Sequence, residues 1–239
     1  MTACGDASPP VVGGATYEGI ADQVVASLAS AGALPAPSAP APWDAFLRLS
    51  HRVHGHFMVP ATSFTPIMRR LVFALGFAAQ PRVLVGIGTF FGYAFAWLLR
   101  DRGDGESGPH VEAAIGIDID REANVVARRN CGCLGHGRRV VFVDGDGRTE
   151  AARIGSAIDL LYIDLDESET GKAGYRDVLA AALPHLAPGA LILAHDACLP
   201  KFQADLFAFH RAVEDEPVLA GPWILPADEC GLSVAVRRR

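Results

Sequence analysis

From Arg82 onward the chain alternates short apolar runs with amphipathic ones, and few architectures accept that alternation. Arg82–Val85, Ala114–Asp118, Val140–Asp144, Leu160–Asp164 and Leu191–Ala194 read as strands. The stretches Tyr93–Arg100, Glu122–Asn130, Thr149–Ile154, Tyr175–Leu186 and Lys201–Glu214 have the spacing of helices. Pro188-Gly189 closes the fourth of these helices, and Trp223–Leu225 with Leu232–Val236 forms a closing strand pair. Strands this short and this apolar must be covered on both faces, which predicts an α/β fold on a mostly parallel sheet. Such sheets bind ligands at the carboxyl ends of their strands.

The first 80 residues follow a different pattern. Residues 1–16 are small and polar, and Ala33 to Pro42 alternates Ala with Pro as an extended linker does. Helical spacing is read at Tyr17–Ser30 and Trp43–Phe57, and again after Thr65-Pro66 up to Leu75, with Gly76 as terminator. We therefore expect an N-terminal helical cap or linker region over 1–80 and a main sheet domain over 81–239. Asp101–His110 reads as a polar loop.

Composition narrows the partners. A formal charge of −6 gives no general attraction to nucleic acid phosphates. The apolar run Val83 to Leu99 is interrupted by Gly86, Gly88 and Gly92, so it reads as strand, turn and helix rather than a membrane span. Five scattered cysteines, and a start with neither a basic segment nor an apolar core, point to a reducing cytoplasmic setting. Cys131-Gly132-Cys133 lacks the spacing of a zinc site. His51, His54 and His56 could serve as ligands, as pocket groups or as ordinary surface residues.

Four strand ends carry the candidate chemistry. After the first strand, Gly86-Ile87-Gly88-Thr89-Phe90-Phe91-Gly92-Tyr93 makes a turn that glycine keeps tight and open to a ligand. The helix behind it offers N–H groups to an anion. Asp118 ends the second strand, where a carboxylate can accept from both ribose hydroxyls, and Ile119 follows it. Asp144-Gly145-Asp146-Gly147 ends the third strand, where a carboxylate could meet an adenine amino group or simply belong to a turn. Asp164 and Asp166 end the fourth strand, and His195-Asp196 ends the fifth. Carboxylates converging from adjacent strand ends suit Mg²⁺, with Asp164 and Asp196 as the ligands. Lys172 and Tyr175 follow the fourth strand closely enough to reach a substrate.

Taken in order, these pieces resemble class I S-adenosylmethionine-dependent methyltransferases, over Ser63 to Arg239. They are most similar to the catechol and caffeoyl-CoA O-methyltransferase branch. Thr65-Pro66 and Gly88 to Tyr93 resemble the segment leading into its "E-I-G-T-x-x-G-Y-S" motif. Gly116 to Asp120 resembles its ribose-binding strand end, and Gly145-Asp146-Gly147 its "G-D-A" turn. Leu161 to Asp166 resembles "F-I-D-A-D", and Asp228 to Arg237 its closing strand. The pairing of "I-D-x-D" with "H-D" is also similar to sugar and macrolide O-methyltransferases.

The resemblance implies a Rossmann-like methyltransferase sheet, mostly parallel with the last strand antiparallel, helices on both faces and N-terminal cap helices. It implies S-adenosylmethionine as cofactor, a small-molecule acceptor methylated on oxygen, Mg²⁺ as a second cofactor, and a homodimer. Gly86, Gly88, Thr89, Gly92, Tyr93, Asp118, Ile119, Asp146, Gly147 and Asp164 would hold the cofactor. Asp164, His195 and Lys172 would be catalytic, with His195 as general base because an unperturbed imidazole titrates at about 6.5.

The chain departs from the branch at three positions. Gly86 replaces a Glu, Glu167 stands where a Lys often follows, and Ala197 replaces the Asn of the metal pair. A nicotinamide-dependent oxidoreductase and a non-catalytic relative with the same fold are the alternatives.

Overall fold

The computed structural model describes residues 11–12, 15–35, 40–61, 63–99, 111–134, 140–167 and 170–239. The centre of the Ala/Pro linker, the polar loop at 101–110 and most of the N-terminal stretch lie outside these residues.

A small antiparallel pair, β1 (Val11–Val12) and β2 (Ala15–Thr16), leads into three helices. These are α1 (Tyr17–Ser30), α2 (Trp43–His56) and α3 (Pro66–Ala79). Then come β3 (Val83–Ile87), α4 (Tyr93–Leu99), β4 (Ala113–Asp118), α5 (Arg121–Gly132) and β5 (Val140–Asp144). The second half runs α6 (Gly147–Ala151), β6 (Ile158–Ile163), α7 (Gly174–Ala182) and β7 (Leu186–His195). It ends with α8 (Gln203–Asp215), β8 (Leu219–Leu225) and β9 (Leu232–Arg237).

The seven-stranded sheet has the order β5-β4-β3-β6-β7-β9-β8. Only β9 runs against the rest, wedged between β7 and β8. Chain direction switches beside β3, whose neighbours are β4 on one side and β6 on the other. Ligands bind at such a switch point, beyond the carboxyl ends of the strands.

Side-chain alternation along the strands feeds two cores. On one face, Leu84, Leu160, Tyr162 and Leu191 pack with α1–α3 and α4, and Trp97 is wholly buried there. On the other, Val85, Ile163 and Ile192 pack with Tyr175, Val178 and Phe209 of α7 and α8. The cap helices thus share one continuous core with the sheet.

Several boundaries differ from the sequence reading: β8 starts at Leu219 rather than Trp223, β7 at Leu186 rather than Leu191, and α6 spans Gly147–Ala151 rather than Thr149–Ile154. Two others concern residues expected to terminate helices. Helix α3 passes through Gly76 and stops at Gln80, whose left-handed φ of 47° ends it. Gly76 instead lets α4 approach, because a Cβ there would lie 3.0 Å from the Leu98 carbonyl oxygen. Likewise α7 ends at Ala182, and Pro188-Gly189 lies inside β7 rather than closing a helix. The β6–β7 register shifts there, Ile158 pairing with Leu186 and Leu160 with Leu191, so the extra residues of that segment belong to β7.

Candidate active site

At the end of β3 the chain turns through Gly88, Phe90 and Gly92, all with positive φ (73°, 45° and 72°). Gly88 N–H donates to the Ile117 carbonyl at 2.8 Å and Phe90 N–H to Asp118 Oδ2 at 2.7 Å, so β4 holds the turn in shape. A Cβ on Gly88 would lie 2.5 Å from the backbone of Asp164. Glycine is therefore required here by the end of β6, and the turn sits directly against the first residue of the charged cluster. The other predicted glycines also meet protein. Gly86 faces Thr89 and Phe95, Gly92 faces Cys131 and Ala127, and Gly147 faces Ile87. A side chain at Gly86 would meet the Phe95 ring at 2.9 Å.

Asp118 binds the turn and also receives Asp120 N–H at 2.9 Å. Burial pushes its carboxyl pKa up, against those two N–H donors. Ile119 beside it is 77% exposed, an apolar surface at the strand end with nothing packed over it. Thr89 is buried, and its Oγ1 has no hydrogen-bond partner among the described residues. Tyr93 is buried against Phe64 and Trp97. Asp146 caps α6, accepting from Arg148 N–H and Thr149 N–H, and pairs with the Arg148 guanidinium at 2.8 Å. Arg148 continues to Glu167 at 2.6 Å. Asp144 is held by Asn124 and Arg128, at 2.9 and 3.0 Å.

The ends of β6 and β7 are arranged differently, as a cluster of buried charges. Lys172 Nζ lies 3.0 Å from Asp164 Oδ1 and 2.9 Å from Asp196 Oδ2. His195 Nδ1 lies 3.2 Å from Asp196 Oδ1 and 3.6 Å from Asp164 Oδ2. Tyr162 O–H donates to Asp164 Oδ2 at 2.8 Å. Asp196 has a φ of 62°, a backbone conformation that Asp tolerates better than most residues.

Burial would raise the pKa of Asp164, yet His195 and Lys172 hold it below the usual carboxylate range. Asp196 is held low for the same reason. Burial would lower the pKa of Lys172, and the two carboxylates reverse that. Burial would also lower His195, and Asp164 with Asp196 lift it to about 10. The two carboxylates thus favour the protonated ring.

The structure brings Asp164, Lys172, His195 and Asp196 together and leaves Asp166 exposed outside the cluster. His51, His54 and His56 lie on the exposed face of α2, where His54 meets Arg69 and Ser50. Tyr175 O–H donates to the His195 carbonyl at 3.4 Å. Sequence reading missed Phe64, whose ring covers His195 at 4.9 Å, and Phe202, near Lys172. Phe64 precedes the Thr65 cap of α3, and Thr65 Oγ1 donates to Asp228 in the β8–β9 loop. The N-terminal segment is thereby tied over the cluster. Tyr162, polar among its strand neighbours Leu160, Leu161 and Ile163, was the one missed residue with a visible signal.

The residues do not fit the expected divalent ion. The point between Asp164 and Asp196 is occupied by an ammonium group, and Ala197 offers no donor. His195, Asp196 and Cys230 also lie close together, but the His195 Nδ1 already faces both carboxylates. Burial and the nearby Asp196 push the Cys230 thiol up to about 12.

Comparison with known proteins places this geometry. The profile of a family described as a methyltransferase domain matches residues 85–197. The fold of the chain agrees with that of solved methyltransferases. An O-methyltransferase of Bacillus cereus, in complex with SAH, superposes with a TM-score of 0.63 at 18% identity, covering 92% of this chain and 97% of its own. An O-methyltransferase of Streptomyces achromogenes involved in tomaymycin synthesis, in complex with SAM, gives 0.64 at 15%, covering 94% and 100%. A methyltransferase of Geobacter sulfurreducens gives 0.60 at 24%, covering 91% and 96%. No curated relative matches the chain. Within the matched residues, the glycine turn and the charged cluster occupy adjacent strand ends. No helix among the described residues is long and apolar enough to cross a membrane.

Proposed function

We propose that this chain transfers a methyl group from S-adenosylmethionine to a hydroxyl oxygen of a small molecule. One observation carries the reading. Gly88 of the turn is seated against the backbone of Asp164, so a cofactor at the turn would place its sulfonium beside the charged cluster. The SAM and SAH bound to the neighbours from S. achromogenes and B. cereus support the choice of cofactor.

The division of labour follows from the chemistry. Asp118 and the turn at Gly88–Gly92 hold the adenosyl group, with Ile119 as an apolar surface beside it. Methyl transfer from a sulfonium already has a good leaving group, so the protein mainly aligns the acceptor oxygen with the methyl carbon. Alignment of that kind is worth up to about 7–11 kcal/mol. Asp164, Lys172, His195 and Asp196 fix the acceptor, and Phe64 excludes water from above. No step is routed through a metal ion. A cytoplasmic homodimer belongs to the same reading, and light scattering measures the dimer.

The test is incubation with methyl-labelled S-adenosylmethionine and a panel of hydroxylated small molecules, followed by mass spectrometry. Label on an acceptor oxygen is the expected result. Reduction of nicotinamide cofactors with no labelled product would favour the oxidoreductase reading instead.

A further inference from the structure

Two carboxylates from neighbouring strand ends aim at one point, an arrangement that suits a hard cation. In this chain the point belongs to Lys172 Nζ, 3.0 Å from Asp164 and 2.9 Å from Asp196. The position is built rather than incidental. The Lys172 side chain is 2% exposed, and the rings of Tyr175 and Phe202 lie 5.4 and 5.2 Å from its ammonium. Its backbone N–H is held by Asp205 Oδ2 at 3.1 Å. The preceding Gly171 has a φ of 58°, and Glu167 pairs with Gly171 through two backbone hydrogen bonds. The Glu167–Gly171 pairing thus anchors the residue that precedes the lysine.

We propose that Lys172 is the resident cation of the acceptor site, standing in place of a divalent ion and holding the acceptor oxygen for methyl transfer. This rests on the methyltransferase reading above. An ammonium has three donors. Two face Asp164 and Asp196, and the third is assigned to the acceptor. The His195 Nε2 atom is buried and has no hydrogen-bond partner among the described residues, while Nδ1 on the same ring faces the carboxylates. It is the second polar atom assigned to the acceptor oxygen. Lys172 brings to the two carboxylates the positive charge that a bound cation would supply.

The step balances without a metal. The acceptor hydroxyl releases its proton to solvent on entering, and its oxygen is held as an oxyanion between Lys172 and His195. An oxygen lone pair forms the new O–C bond, the C–S bond breaks, and its electron pair remains on sulfur.

The test is calorimetric titration of MnCl2 into the wild-type protein and Lys172→Met, each with S-adenosylhomocysteine bound. Wild type shows no saturable Mn²⁺ site tighter than about 1 mM. Lys172→Met, with two carboxylates left facing each other, binds Mn²⁺ at least about tenfold more tightly than wild type. Methyl transfer by wild type is unchanged by EDTA. A stoichiometric Mn²⁺ site in wild type, or turnover lost in EDTA and restored by Mg²⁺, would overturn the proposal. The wild-type titration needs no variant, so a Lys172→Met protein that fails to fold leaves the test intact. Heat from S-adenosylhomocysteine binding, recorded first, reports separately on the methyltransferase reading.

Discussion

The two halves of the strand-end surface are built by opposite means. At β3, β4 and β5 the chain works with backbone: glycines with a protein neighbour at every missing Cβ, and carboxylates that each hold a nearby turn or helix start. At β6 and β7 it works with side chains, as two acids and two bases buried together. The first half is a rigid cradle whose shape depends on close packing. The second is a balance of charges, in which removing one member leaves the others buried and uncompensated.

Four experiments break or sharpen that contrast. Lys172→Met has the largest expected effect. Loss of one partner from a buried ion cluster costs about 3 kcal/mol or more, read as a lower denaturation midpoint. It also lowers kcat/KM by about 100-fold or more, while the affinity for S-adenosylhomocysteine stays within about threefold.

Gly88→Ala attacks the contact between the halves. Its methyl group would meet the Asp164 backbone at 2.5 Å in a left-handed conformation. A stability loss of about 1–3 kcal/mol is expected, together with falls in both cofactor affinity and turnover. An effect on cofactor affinity alone would show the halves to be mechanically independent.

Asp118→Ala is confined to the cradle. It removes the acceptor for the Phe90 N–H and the proposed ribose contact, and weakens S-adenosylhomocysteine binding by about 10- to 100-fold in calorimetry. The titration of His195, followed by NMR, stays where it was.

The smallest effect is on pH dependence, and it belongs to the charged half. The His195 pKa is raised to about 10 by Asp164 and Asp196 against burial, with Lys172 as the opposing cation nearby. A raised histidine stabilises the fold fully below its unfolded pKa of about 6.5, and that contribution is lost as pH climbs through the folded value. Thermal stability therefore declines between neutrality and pH 10, and His195→Gln flattens the decline.

The same contrast explains what was readable in advance. The strand and helix order, the glycine turn, Asp118 and the antiparallel last strand are local or follow from period and spacing, and the sheet has them as expected. Helix ends were less legible. Gly76 and Pro188-Gly189 resemble terminators, but tertiary packing uses them inside an element. In the charged half, Asp164 and His195-Asp196 were visible as strand ends. Their meeting with Lys172 depends on the pairing of Glu167 with Gly171, and the cover by Phe64 depends on a segment some 100 residues away in sequence from Asp164. No spacing rule encodes either contact. The charge state of His195 was unreadable for the same reason, since it is set by neighbours rather than by residue type.

The central claim is that the cradle at β3 and β4 binds an adenosyl cofactor with no metal beside it. Calorimetry with S-adenosylhomocysteine in the presence of EDTA tests it directly. The account predicts one saturable site per chain, with a dissociation constant on the order of 1–100 μM and no change on adding Mg²⁺. Absence of binding heat for a folded protein, or binding that appears only when Mg²⁺ is supplied, would contradict it.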